Sequence, residues 1–161
     1  MTDATSETPV NSPHSPHPPD FPDLHRRVLE SFQRQGMMTH LGAHLIRVAP
    51  GECEIALSYS DKVTQQQGGF HGGAMGALAD IAGGYAALTM APEGMEVTTV
   101  EYKINFLSSF QGGSLHAKGR VSKAGRRVIV TTAVVVHVDS AGNRTDCALM
   151  QQTLVPVAKT Y

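Results

Sequence analysis

The residues whose types and spacing could do chemistry gather between Gln65 and Asp80. The run reads Gln65-Gln66-Gln67-Gly68-Gly69-Phe70-His71-Gly72-Gly73, and after six further residues comes Asp80. The glycines crowd where a helix is predicted to begin. A helix start presents N–H groups that have no intrahelical partner and carries a partial positive charge. Glycine there lets a substrate oxygen come close to the backbone. Such a place can stabilise the negative charge that develops on a carbonyl oxygen under attack. The same residues can also make a plain turn with packing glycines. No G-x-x-x-x-G-K-[ST] run occurs, so a nucleotide-binding P-loop is not supported.

Asp80 is the sharper signal. It sits between Leu78-Ala79 and Ile81-Ala82 in the middle of an apolar run. Burying a carboxylate without partners is costly, and buried carboxylates with shifted acidity cluster at functional sites. Two readings follow: a reactive carboxylate, or a structural one hydrogen-bonded to a neighbouring strand or subunit. Asp80 lies eight residues beyond Gly72, which is about 12 Å of helix rise. That is too far for both to act on one carbonyl within a single chain. A two-fold dimer that opposes one subunit's helix start to the other subunit's Asp80 removes the difficulty. Composite sites in an obligate dimer are therefore expected.

The element carrying Asp80 runs from Gly72 to Met90 and is apolar and small-sided on nearly every face. A helix apolar all round is a buried one, and its many glycines imply close approach by packing partners. The stretch is nearly long enough to span a membrane, but Asp80 interrupts it and no basic or aromatic flank marks a boundary. Around it, Leu24, Val28, Leu29 and Phe32 recur at helical spacing over about 23–35, with Gly36 as a stop. A strand over 41–48, the turn Ala49-Pro50-Gly51-Glu52 and an alternating strand over 53–59 predict a hairpin. Four further strands are predicted at about 96–108, 115–121, 128–138 and 145–155. Short turns between them predict an antiparallel meander. The fold class expected is α+β, one curved antiparallel sheet wrapped around one long helix. Residues 1–20, rich in Pro, Ser and Thr and nearly free of apolar side chains, read as a disordered tail, and 21–161 as the domain.

The bulk numbers fit a single globular domain. The chain has 161 residues, 41% hydrophobic, with a formal net charge of -1. No single-sign field exists to attract nucleic acid or a membrane face. Cys53 and Cys147 are far apart and read as buried structural thiols. Neither a disulfide framework nor a zinc site is indicated, and His14 and His17 in the tail lack anything to preorganise a metal. The start Met1-Thr2-Asp3 lacks a basic opening and an apolar core, so a cytoplasmic protein is expected. There is no G-x-S-x-G elbow and no H-E-x-x-H pair. His44, His116 and His137 fall in predicted strands and read as structural or surface residues.

The residues resemble the hotdog-fold acyl-CoA thioesterases of the phenylacetate-degradation (PaaI-like) type over about residues 37–157. The resemblance rests on His71-Gly72-Gly73 with Asp80 nine residues after the His. It extends to the strand from Thr99 to Leu107, to Gly119-Arg120-Val121 and to Gly125-Arg126-Arg127-Val128. It implies that Gly72 donates its N–H to the thioester carbonyl and that Asp80 acts as general base on water, or as a nucleophile. His71 would shape the helix start, with Gly73 contributing to substrate binding. Gln65 falls where many relatives have Asn, and its amide would position water or thioester. Thr99 would hold the water by its hydroxyl, with Thr98 one residue away as the alternative. Lys123, Arg126 and Arg127 could clamp the phosphates of coenzyme A, or form a solvated basic turn. The partners implied are an acyl-CoA substrate and further copies of the chain, as a homodimer or a dimer of dimers (a homotetramer). No metal or other cofactor is implied.

The expected function is hydrolysis of an acyl thioester to a carboxylic acid and free coenzyme A. A non-catalytic acyl-CoA binder with the same fold is the alternative. A hotdog dehydratase or hydratase ranks third, because His71 has no clear second acid or base. The identity of the acyl group is not legible in the sequence.

Overall fold

The computed structural model describes residues 21–161, so the predicted tail over 1–20 lies outside the described residues. Helix α1 spans Pro22–Gln33 and opens with proline at its first position, where the missing N–H costs nothing. Its inward face carries Val28 and Phe32, and the Phe32 ring meets the ring of Tyr85 at 5.8 Å. A second helix, α2, spans Gly36–Leu41. It corrects the sequence expectation of a stop at Gly36 and a strand from residue 41. Met38 is buried and holds the turn against the core. Gly42, at φ 74°, ends α2 in the left-handed conformation that favours glycine, and the strand starts only at His44.

Strands β1 (His44–Ala49) and β2 (Glu52–Ser58) form the predicted hairpin. Helix α3 spans Gly72–Leu88. Strands β3 (Met95–Phe106), β4 (Ser114–Ala124), β5 (Ile129–Val138) and β6 (Arg144–Ala158) follow. All pairings are antiparallel, in the order β1-β2-β4-β5-β6-β3. Only β4-β5-β6 is a meander. Strand β3 does not pair with β4 as the sequence predicted but crosses to the far edge and pairs with β6. The chain therefore enters α3 at one side of the sheet and leaves it at the other, and β4 fills the place beside β2.

Helix α3 packs on the sheet and buries Met75, Leu78, Ala79, Ala82 and Leu88 among others. A glycine of the sheet sets the depth of that contact. A Cβ on Gly119 of β4 would lie 2.2 Å from the Ala82 carbonyl oxygen, so helix and strand backbones nearly touch. Ala77, Asp80, Ile81 and Gly84 are only half-buried, and Asp80 among them reaches β3 and β6. Their spacing draws one stripe along the helix.

Candidate active site

Asp80 owes its position to that stripe, and its contacts to the far edge of the sheet. Its Oδ1 accepts hydrogen bonds from Thr99 Oγ1 at 2.7 Å and from Gln152 Nε2 at 2.7 Å. Among the described residues no donor reaches Oδ2. Gln152 is fully buried, and its Nε2 also lies 3.0 Å from Thr99 Oγ1 and 3.2 Å from the Asp80 carbonyl oxygen. Its Oε1 accepts from Thr131 Oγ1 at 3.0 Å. Asp80 and Thr99 line a cavity of about 110 Å³, walled by the apolar side chains of Ile81, Leu88, Val97 and Leu154. The far end of the cavity is polar. Gln35 Nε2 donates to the Tyr85 hydroxyl at 2.7 Å, and that hydroxyl donates to Ser31 at 3.3 Å. Burial, the largest influence, pushes the Tyr85 phenol above its ordinary value, with Glu96 and Tyr161 adding.

Strict alternation along β3 would turn Thr99 away from Val100, Tyr102, Ile104 and Phe106, to the opposite face. The pairing with β6 slips between Thr99 and Glu101, with Val100 as the inserted residue. After the slip Thr99 stands opposite Leu154 and Tyr102 opposite Gln152. Both β6 residues are buried against α3, so the bulge brings Thr99 onto the inner face. Re-aiming one side chain beside a site is a common use of a bulge. Thr98, the alternative hydroxyl, is exposed.

The helix start forms a second, separate depression. Gln65, Gly72, Met75 and Phe106 line it, and Asp80 does not. His71 is the N-cap of α3, and its Nδ1 accepts from the Gly73 N–H at 2.7 Å. The bond distinguishes the two glycines. Gly73 spends its amide on the cap, whereas the Gly72 N–H has no hydrogen-bond acceptor among the described residues. Phe106 crosses over Gly72, where a Cβ would meet its ring at 3.2 Å. The Gln65 side-chain carbonyl accepts from the Gln67 N–H, which ties it into its own turn. The structure thus joins Asp80 with Thr99, and Gly72 with Gln65, but keeps the pairs apart within one chain. Lys123, Arg126 and Arg127 are exposed at the β4–β5 turn and line neither depression.

Sequence reasoning missed Gln152. Its signal was available: Ala148, Met150, Gln152 and Leu154 share one face of β6 by period-two alternation, and all four are buried. The two cysteines are buried as expected. Burial, with Glu54 adding, pushes the Cys53 thiol up to about 12, and burial with Asp146 pushes Cys147 to about 11. Among the described residues no group of three His, Cys, Asp or Glu side chains could hold a metal ion. No described helix is long and apolar enough to cross a membrane.

A curved antiparallel sheet wrapped around a central helix is the hotdog fold found in thioesterases. The family model of the thioesterase superfamily matches residues 67–142. A thioesterase family protein from Silicibacter pomeroyi superposes with a TM-score of 0.81 at 34% identity, covering 84% of this chain and 99% of that one. The chain belongs to the thioesterase superfamily. The fold is shared with the Escherichia coli PaaI protein from the phenylacetic acid degradation operon. That match has a TM-score of 0.75 at 20% identity and covers 85% of this chain and 95% of that one. A curated relative from Saccharolobus solfataricus, described as "Putative esterase", is 36% identical over 90 residues. The match takes in 56% of this chain and 64% of that relative, so the chain spans less than two thirds of the relative's length.

Proposed function

We propose that the protein is a cytoplasmic acyl-CoA thioesterase that works as a homodimer, or as a dimer of such dimers, with sites shared between subunits. The observation that carries this reading is the Asp80 carboxylate, anchored through one oxygen by Thr99 with the other oxygen free of protein donors beside a cavity. In the proposed reaction Asp80 Oδ2 takes a proton from water, and the water oxygen bonds to the thioester carbonyl carbon. The carbonyl oxygen gains negative charge and is held by the Gly72 N–H of the opposing subunit. The carbon–sulfur bond then breaks, and the coenzyme A thiolate leaves and takes up the proton. Direct attack by Oδ2, followed by hydrolysis of the resulting anhydride, gives the same products. Label found in the Asp80 side chain after a single turnover in ¹⁸O-water identifies direct attack with water entering at the Asp80 carboxyl carbon.

The separation of the two depressions supports a shared site. So does strand β3, an edge strand with Val100 61% and Phe106 53% exposed. An edge with unpaired backbone groups and apolar side chains invites pairing with a second copy. Lys123, Arg126 and Arg127 would meet the phosphates of coenzyme A outside the cavity. The test is thiol release across a panel of acyl-CoA chain lengths by wild type and Asp80→Asn. Turnover by wild type and not by Asp80→Asn is expected. Tight binding without turnover would replace the hydrolase with an acyl-CoA binder.

A further inference from the structure

We propose that Gln152 is a positioning residue for catalysis, which selects the Asp80 oxygen that reacts; the proposal rests on the hydrolase reading above. The side chain of Gln152 is fully buried in the sheet, yet its polar end touches nothing but the Asp80 unit and two threonines. Two of the acceptors around Nε2, the Asp80 carboxylate and the Asp80 backbone carbonyl, cannot donate. They fix which way the amide points. The Thr131 hydroxyl, also fully buried, holds the other end through Oε1. The result is a chain from Thr131 through Gln152 to Asp80 Oδ1, with Thr99 closing the triangle.

The helix is shaped to admit this group. A Cβ on Gly83 would lie 2.0 Å from Gln152 Oε1 and 2.8 Å from Thr131 Oγ1. A glycine in mid-helix is costly, and here it vacates the space that the amide fills. A buried amide is worth keeping in a core only if every polar atom is paired, and among the described residues no buried side-chain nitrogen or oxygen lacks a partner. Two donors on Oδ1 leave Oδ2 as the oxygen with lone pairs facing the cavity. Without Gln152 the carboxylate can rotate about its bond to the chain and present either oxygen, so the productive geometry is less often occupied.

The experiment compares Gln152→Leu, the gentler Thr131→Val, Asp80→Asn and the double variant Gln152→Leu/Asp80→Asn. Each is assayed for kcat and KM on the best acyl-CoA and for thermal midpoint. Gln152→Leu is expected to lower kcat by about 10- to 100-fold with KM within about twofold, an orientation effect. Thr131→Val is expected to lower kcat less and to leave the fold intact. The double variant is expected to be no slower than Asp80→Asn, because Gln152 acts only through that carboxylate. A wild-type kcat in Gln152→Leu, or a loss that multiplies that of Asp80→Asn, would overturn the proposal. Hydrogen exchange of the Gln152 side-chain amide, followed by NMR, is independent of activity. A shift of that amide's resonance between wild type and Asp80→Asn supports the bond, and an amide unprotected from exchange in wild type refutes it. Asp80→Asn as fast as wild type would instead sink the hydrolase reading.

Discussion

Two carboxylates on opposite faces of the sheet are held in opposite ways. Glu54, on the outer face of β2, is approached by His116 at 3.2 Å and by Lys118 and Arg144 at 3.8 Å. Asp80, on the inner side, has no cation within salt-bridge reach among the described residues, and both of its side-chain donors are a neutral amide and a hydroxyl. The outer charge is matched by solvated counter-charges, an arrangement worth little to stability. The inner carboxylate is anchored through one oxygen by neutral donors, with no counter-charge beside it among the described residues. The contrast teaches that the number of partners around an acid says less about its role than whether those partners cancel its charge.

The contrast is tested first where it is largest. Asp80→Asn is expected to lower kcat by about 10²- to 10⁴-fold, the range of a lost general base, while the thermal midpoint holds or rises. A comparable loss from Glu54→Gln would erase the distinction. The two close-approach glycines sharpen it. Gly119→Ala sets a Cβ against helix backbone and should cost about 1–3 kcal/mol or more in denaturant unfolding. Gly83→Ala meets the movable end of Gln152, so it should displace that amide and lose activity out of proportion to stability. The inner face of β2 has a pH signature of its own. Cys53, beside Glu54, has its folded-state value raised from 9.0 to about 12. Its contribution to stability is therefore complete below about pH 9 and is lost as pH rises towards 12. Thiol labelling at pH 8 should be slow in the native protein and fast in denaturant. Glu54→Gln gives the smallest effect, a stability change within about 1 kcal/mol and an unchanged kcat.

Much of this arrangement could be read from residue order alone. The span of α3, the isolation of Asp80 within it and the position of Gly72 at its start follow from apolar periodicity and glycine placement. The unreadable parts are those decided by distant partners. Nothing local in Gly36-Met37-Met38-Thr39-His40-Leu41 announces α2, because its anchor, Met38, packs on residues far along the chain. Short turns made β3-β4 adjacency look natural, but the pairing of β3 with β6 wins because it completes the sheet on the other side of the helix. The slip at Val100 depends on that pairing. Thr99 could be named only by family resemblance, and its geometry had to be seen. Gln152 was hidden by its polarity, which reads as solvent exposure unless the alternation of Met150 and Leu154 overrides it.

The crossing of β3 to the far edge sets a timetable for the newborn protein. As the chain leaves the ribosome, Asp80 and Thr99 emerge before β4 and β5, and the strand that docks Thr99 and supplies Gln152 only after them. Pairings between such distant segments form slowly. A nascent or C-terminally clipped chain would carry the acid without its anchor. Truncation before β6 should therefore remove the Asp80 anchor while leaving Asp80 itself in place.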